Sequence, residues 1–126
     1  MKHLALGIGI LAALLALSLW AMATLDRTAG QVTELLESAW EQASSGSYDQ
    51  AAEDAHRAQA VWEKSYGLAA SMVDHERLDK ISQGFTDLEA WDSLAQREEF
   101  SRQCLALADL VRSMAEAEQP YYYNIL

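Results

Sequence analysis

A stretch of 22 residues without a charged side chain, from Leu4 to Leu25, constrains this 126-residue chain more than any other feature. As a helix it would be about 33 Å long, because an α-helix rises roughly 1.5 Å per residue. That length matches the hydrocarbon core of a bilayer, which is about 30 Å thick. Residues 1–25 are therefore predicted to be a membrane anchor or a secretory signal segment.

Two interpretations of this segment stay open. An uncleaved anchor is favoured by its length, since the apolar core of a signal peptide usually runs for about 7–15 residues. Cleavage near Ala23 is the alternative, because Ala21 and Ala23 form a small-x-small pattern, and the product would then be secreted. Lys2 favours a cytoplasmic N-terminus, although Arg27 weakens that orientation. Both interpretations place the rest of the chain outside the cytoplasm, in the first case as part of a single-pass protein of the cell membrane.

The composition of the remaining residues excludes several classes of protein. All 19 acidic residues and all basic residues except Lys2 follow Leu25, so residues 26–126 carry a net charge of −11. Such an acidic surface disfavours nucleic-acid binding, which needs cationic side chains against phosphates. The single cysteine, Cys104, cannot close a disulfide within the chain, and the 51% hydrophobic content disfavours intrinsic disorder.

Apolar residues after Leu25 recur at three- and four-residue steps, which is typical of amphipathic helices. A first helix continues from the apolar segment to Gly46, and a second begins at Ser47, where Ser47 and Gln50 fit a capping box. A third begins near Asp74. The predicted buried residues of these three helices are Leu25, Ala29, Val32, Leu36, Ala39, Trp40 and Ala43, then Tyr48, Ala51, Ala55, Ala58, Trp62, Tyr66, Ala69 and Val73, then Leu78, Ile81, Phe85, Leu88 and Trp91.

A fourth helix is predicted after a break near residues 93–97, because its apolar series is out of phase with that of the third. Its buried residues would be Phe100, Cys104, Leu107, Val111 and Met114, and Pro120 would close it. The fold class is thus all-α, with an N-terminal transmembrane or signal helix followed by an up-down antiparallel bundle of three to four helices over residues 26–120.

The sharpest polar cluster comprises Asp74, His75, Glu76 and Asp79. His75 and Asp79 lie four residues apart, so on a helix they would share a face that could hold a divalent metal. A zinc hydrolase would need a third ligand and a water-activating glutamate. We favour a helix start, in which Asp74 caps the helix and Glu76 interacts with the helix dipole. No metal, no cofactor and no catalytic residue is predicted.

Aromatic residues supply two further candidate sites. Trp40, Trp62 and Trp91 could line a pocket between helices, although such residues more often pack in a core. The apolar tail, residues 121–126, either folds back on the bundle or contacts a partner. The candidate partner residues of the tail are Tyr121, Tyr122, Tyr123, Ile125 and Leu126.

The order of these features resembles a known family. An apolar anchor is followed by Trp62-Glu63-Lys64, by Asp74-His75-Glu76, by Leu88-Glu89-Ala90-Trp91 and by Asn124-Ile125-Leu126. Nearly the whole chain is similar to the bacterial domain-of-unknown-function family 4363, small single-span proteins of Gram-positive, often spore-forming bacteria. The family has no established activity, so the resemblance implies an anchored helical domain outside the cytoplasm and no catalytic residues. Members are often encoded near a multi-span membrane protein, which implies a membrane-protein partner by association only.

The expected function is that of a non-enzymatic interaction or accessory module, held in the membrane by its N-terminal helix and bound to another membrane protein. Self-association as a homodimer is kept as an alternative. A ligand-sensing bundle, with a pocket between helices near His75 and Trp62, is the second hypothesis. A metal-dependent enzyme is the third.

Overall fold

The described part of the computed structural model, residues 1–90 and 97–117, consists of four α-helices, and short turns join the first to the second and the second to the third. They are α1 (Lys2–Ser44), α2 (Tyr48–Met72), α3 (His75–Ala90) and α4 (Arg97–Ala117). α1 packs against α2 and α4, and α3 packs against α4 and more lightly against α2. Successive helices are neighbours, as in an up-down bundle, which confirms the predicted all-α fold. The predicted break near residues 93–97 lies mostly outside the described residues.

α1 is one continuous helix of 43 residues, about 65 Å long, with two different surfaces. Large apolar side chains from Leu4 to Trp20 are 51% to 69% exposed. From Leu25 onward, one face of the same helix is buried in the bundle, with Val32 and Leu36 at 0% exposure. The apolar segment therefore extends out of the bundle and adds nothing to its core.

The turn between α1 and α2 depends on Gly46. Gly46 has φ +90°, a left-handed conformation that glycine adopts without steric cost. The amide of Ser47 donates to the carbonyl of Gln42 at 2.8 Å, and the amide of Gly46 donates to the carbonyl of Ala43 at 3.2 Å. This pair of bonds is the Schellman arrangement that ends a helix and turns the chain back.

The capping box predicted at Ser47 was wrong in its detail. Ser47 is the residue before α2, but its side chain makes no capping hydrogen bond. Its backbone, at φ −89° and ψ 71°, departs from the extended conformation that is typical of side-chain capping.

The four apolar stripes meet in one core, as their spacing predicts. Trp40, Tyr48 and Tyr66 are exceptions, since they pack against the core but are only partly buried. Trp91 lies outside the described residues. The large side chains that are less than 2% exposed come from α1, α3 and α4, and they are Val32, Leu36, Leu78, Ile81, Cys104, Leu107, Val111 and Met114.

Polar contacts between helices fix the register of α1 against its two neighbours. The Ser38 hydroxyl donates to Oδ2 of Asp54 on α2 at 2.7 Å. On the other side, the Arg112 guanidinium of α4 pairs with the Glu37 carboxylate. Both ion-pair partners are about half exposed, so this pair contributes little stability and acts mainly on alignment.

Gly84 allows α3 and α4 to approach closely. It is buried within α3, and a Cβ atom at this position would lie 2.6 Å from Cδ1 of Leu107. The Gln103 side-chain amide donates to the Gly84 carbonyl at 3.3 Å across the same contact. The missing side chain is therefore a packing requirement, which offsets the cost of a glycine inside a helix.

We expect Gly84→Val to lower the free energy of unfolding by about 2 kcal/mol, because the added methyl groups collide with the fully buried side chain of Leu107. Gly67→Val is the matched control, since Gly67 is exposed in α2 and has nothing within 4 Å of its Cβ position. The control should change stability by less than about 0.5 kcal/mol. Urea unfolding followed by circular dichroism measures both, and equal effects would contradict the close α3–α4 contact.

Candidate functional sites

The cluster Asp74, His75, Glu76 and Asp79 lies at the start of α3, and all four residues are exposed. Oδ1 of Asp74 accepts a hydrogen bond from the Glu76 amide at 3.4 Å, as an N-cap residue does. Glu76 pairs with Lys80 one turn later, at 3.8 Å. Within the described residues, no three His, Cys, Asp or Glu side chains are arranged to hold a metal. The geometry of this cluster is that of a capped helix start.

The described tryptophans do not converge on one pocket. Trp62 is buried between α2 and α3, donates its indole N–H to Oγ of Ser82 at 3.4 Å, and meets the Tyr66 ring edge-on at 6.1 Å. It lines an open groove of about 330 Å³ with Tyr66 and Phe85, which we call the α2/α3 groove. His75, predicted to share a pocket with Trp62, is not among the residues that line it.

Trp40 lines a second groove, at the end of the bundle farthest from the apolar segment. This distal groove measures about 530 Å³ and lies between the end of α1 and the beginnings of α2 and α4, beside Tyr48, Arg97 and Leu105. The Arg97 guanidinium carbon lies 4.4 Å above the centre of the Tyr48 ring, a cation–π contact. Trp91, the third predicted pocket residue, is outside the described residues, as is the whole tail at residues 121–126.

The Tyr48 hydroxyl is buried without a hydrogen-bond partner. Burial raises the pKa of Tyr48; the positive charge of Arg97 acts in the opposite direction, and Cys104 adds to the rise. A buried hydroxyl without a partner has lost its bonds to water and costs roughly 1–3 kcal/mol. Among the described residues that line the distal groove, Tyr48 is therefore the one with a buried side-chain oxygen that lacks a hydrogen-bond partner.

We expect Tyr48→Phe to raise the free energy of unfolding by about 1 kcal/mol, because the ring packing stays and the unpartnered hydroxyl is removed. Tyr66→Phe serves as the comparison, since Tyr66 is also partly buried and its ring keeps its contact with Trp62. Chemical unfolding of both variants measures the difference. A clear loss of stability in Tyr48→Phe would mean that the hydroxyl has a partner in solution.

Cys104 is a buried thiol, as its apolar neighbours predict. It is 0% exposed, while Phe100, Leu107 and Ala108 on the same face of α4 are also buried. Burial raises the pKa of Cys104 from 9.0 to about 12. The thiol therefore stays protonated and inaccessible in the folded protein, which disfavours both a nucleophilic role and a disulfide to a second copy.

This raised pKa predicts an alkaline loss of stability. The folded state holds the proton more tightly, so the contribution of the thiol is complete below the unfolded pKa of about 9 and declines up to the folded pKa of about 12. Between about pH 8 and pH 10 the natural chain should lose about 1.4 kcal/mol more than Cys104→Ala does. Urea titrations at both pH values test this, and parallel losses would contradict the buried thiol.

The exposed apolar part of α1 is the largest feature that the bundle leaves unexplained. Within the described residues, α1 is the helix that is long and apolar enough to cross a bilayer, and the apolar stretch is not buried in the structure. A core helix of a water-soluble domain would be covered by its neighbours. The helix is compatible with a membrane anchor or with a signal segment.

The sequence profile of a family described as a domain of unknown function, DUF4363, matches residues 19–125. The chain belongs to this family. Comparison with curated proteins and with solved structures gave no match. The DUF4363 match spans the last turns of the apolar segment, the whole bundle and most of the tail. The resemblance drawn from the Asp-His-Glu and Asn-Ile-Leu motifs is thus confirmed.

Some contacts around these sites were not predicted from the sequence. Ser82 and Gly84 both lie on the packed side of α3, where Ser82 accepts the indole N–H of Trp62 and Gly84 admits Leu107. The position of Gly84 between Ile81 and Leu88 is the one sequence signal that could have indicated a close contact, since glycine inside a helix usually has a packing reason.

Proposed function

We propose that this DUF4363 protein is a non-enzymatic module, anchored in the cell membrane by its N-terminal helix, whose bundle lies outside the cytoplasm and binds another membrane protein. The observation that carries the proposal is the change of surface along α1. One unbroken helix is exposed and apolar up to Trp20 and is packed into the bundle from Leu25 onward.

The energetics of α1 favour an anchor. Each fully exposed Leu or Ile that moves from water into lipid contributes about 1.5–3 kcal/mol, and ten large apolar side chains from Leu4 to Trp20 are more than half exposed. The polar backbone groups are already satisfied within the helix, as the bilayer interior requires. Trp20 lies near the end of the segment, where tryptophan favours the membrane interface.

The charge distribution supports the orientation and the kind of partner. Lys2 precedes the apolar segment, and positive residues tend to stay on the cytoplasmic side. The remainder carries a charge of −11, so an anionic lipid surface would repel the bundle as a whole. A bundle held away from anionic lipid on an anchor is well placed to meet the outer surface of a neighbouring membrane protein.

The arrangement of side chains favours interaction over catalysis. The titratable residues of the predicted polar cluster are exposed and act at a helix start, and the one cysteine is protonated within the core. An active site usually brings such groups together in a cleft. The proposal assigns the exposed acidic faces of the bundle to recognition.

Expression of the full chain in a bacterial host, followed by alkaline extraction of the membranes and intact-mass measurement, tests the anchoring. An anchor gives a membrane-retained protein that keeps residues 1–23, whereas a signal segment gives a soluble product that begins at Thr24. Protease added outside intact cells should digest the bundle.

Photo-crosslinkers at Glu53 and Asp87, with the buried Ala58 as control position, should capture a membrane protein.

A ligand-sensing bundle is the second candidate, and the α2/α3 groove favours it. The groove combines the apolar surfaces of Trp62, Tyr66 and Phe85 with the polar groups of Gln59 and Ser82. An apolar ligand in this groove would change the fluorescence of Trp62. Trp62→Phe would abolish that change, whereas Trp40→Phe would leave it intact.

A further inference from the structure

An acidic groove lies between α1 and α4, beginning next to the point where the apolar segment ends. It measures about 350 Å³, and we call it the α1/α4 groove. Its polar lining residues are Asp26, Thr33, Glu34, Glu37, Arg112 and Glu116. Four of these carry a carboxylate and one a guanidinium, so the groove is a concentrated part of the negative charge of the bundle.

The one cation in the groove is already engaged. Arg112 pairs with Glu37, and it pairs with Asp109 at 3.3 Å. Glu34 and Glu116 are exposed, and in the part of the chain that the structure describes neither has an ion-pair partner. Carboxylates that face one another without cations between them attract a cationic ligand.

A buried hydroxyl in the same groove also lacks a partner. Thr33 is 8% exposed, and its Oγ1 atom is buried without a hydrogen bond to any described residue. Thr28, the other buried threonine of α1, has the Ser65 hydroxyl within hydrogen-bond distance at 3.4 Å. An unpaired buried oxygen is costly, and an ammonium or guanidinium N–H that entered the groove would donate the missing hydrogen bond.

Gly30 leaves room for such a group. It lies in the groove, it is exposed, and no described atom lies within 4 Å of its Cβ position. In contrast to Gly84, its missing side chain is not filled by a neighbouring helix. The groove is therefore open to a side chain from another molecule.

The distance of the groove from the apolar segment favours a protein as its occupant. Glu34 lies nine residues beyond Leu25, which is about 14 Å along the helix. The headgroup layer on each side of a bilayer is about 5–8 Å thick, so with Leu25 at the boundary Glu34 lies beyond the lipid headgroups. A protein segment that has just left the bilayer would reach this height.

We propose that the α1/α4 groove binds a basic segment, with Lys or Arg side chains, that follows a transmembrane helix of the partner membrane protein. This inference rests on the function proposed above and names its surface and the chemistry of the partner. The carboxylates from Asp26 to Glu37 extend over about 16 Å of α1, which suits successive cationic side chains better than a single ion. A second copy fits less well, because its bundle carries the same charge of −11.

Energy transfer in phosphatidylcholine nanodiscs tests the proposal on the full chain. The donor fluorophore is attached at Ser18→Cys, an exposed position of the apolar segment, while the buried Cys104 stays unlabelled. The acceptor lies in the middle of a synthetic single-span peptide of about 20 apolar residues with Lys-Arg-Lys at both ends. The same peptide with Gln-Gln-Gln at both ends is the control probe.

We expect the Lys-Arg-Lys peptide to bind about tenfold more tightly than the Gln-Gln-Gln peptide, a difference that corresponds to about 1.4 kcal/mol. Glu34→Gln/Glu116→Gln should remove most of this difference. Glu53→Gln/Glu89→Gln removes the same two charges from exposed positions of α2 and α3. This control should change the affinity by less than about twofold, because distant exposed charges are screened by salt.

Two further variants separate binding from folding. Thr33→Val keeps the shape of the side chain, so it should weaken binding of the Lys-Arg-Lys peptide about fivefold without any loss of stability in urea unfolding. A hydroxyl with a purely structural role would change stability and leave the affinity as it is. Gly30→Leu should block the groove, whereas Gly67→Leu, at an exposed position of α2 with equally open space, should not affect binding.

Each contrary result has its own meaning. Equal affinity of the two peptides, or equal weakening by the two pairs of Gln substitutions, would refute the groove as a site for a basic segment. Loss of peptide binding when phosphatidylethanolamine replaces phosphatidylcholine would assign the groove to lipid amines. Energy transfer between two labelled copies that Glu34→Gln/Glu116→Gln abolishes would assign it to a second copy. A donor-labelled chain that elutes apart from the nanodiscs would instead refute the anchoring on which the proposed function depends.

Discussion

Leu107→Ala is expected to lower the free energy of unfolding by about 3–4 kcal/mol, among the largest effects of any single truncation in this bundle. Leu107 is 0% exposed on α4, the helix that packs against both α1 and α3. The truncation removes buried apolar surface and leaves a cavity, and the facing residue, Gly84, has no side chain that could fill it.

Leu110→Ala provides the matched control, because it removes the same atoms from the same helix at a position that is 38% exposed. The control should cost about 1 kcal/mol or less. Urea unfolding of the full chain in mild detergent, followed by circular dichroism, measures both. Similar losses for the two variants would mean that α4 presents a different face to the core.

The double variant Leu11→Arg/Leu14→Arg is expected to abolish membrane insertion. Both leucines lie near the middle of the apolar segment and are 69% and 56% exposed. An arginine at the centre of a membrane helix costs about 2.5–3.5 kcal/mol on the insertion scale, so two would cost about 5–7 kcal/mol. A single arginine could reach the interface along the helix, whereas two near the centre cannot both do so easily.

Fractionation of cells that express this variant should find the protein outside the membrane pellet after alkaline extraction. The control is Ala106→Arg/Ser113→Arg, which adds the same two charges at exposed positions of α4. It should stay in the pellet with the natural chain. A Leu11→Arg/Leu14→Arg protein that remained in the pellet would have to be held there by something other than α1.

Much of the fold follows from local patterns along the chain. Apolar residues at three- and four-residue steps select one face of each helix whatever its neighbours are, so Val32 and Leu107 could be assigned to the core in advance. The two described turns also have local causes. Gly46 adopts a positive φ without steric cost, and the Asp74 carboxylate caps an amide at the start of α3.

The candidate sites were less predictable, because they depend on which faces meet. Trp40 and Trp62 have the same chemistry, but Trp40 lines the distal groove and Trp62 lines the α2/α3 groove. The two residues are 22 positions apart in the sequence, and the chain reverses direction between them. Their separation is set by helix length and turn position. No local pattern around either residue contains that information.

Residue spacing and composition are enough to specify a helical chain with one apolar segment, four amphipathic stripes and a strongly acidic remainder, since none of these features depends on which helices meet. The packed structure is needed to show that Gly84 admits Leu107, that Arg112 meets Glu37, and that the Trp62 indole N–H reaches Ser82. These features join residues from different helices, and their physical basis is the packing and register of whole helices against one another.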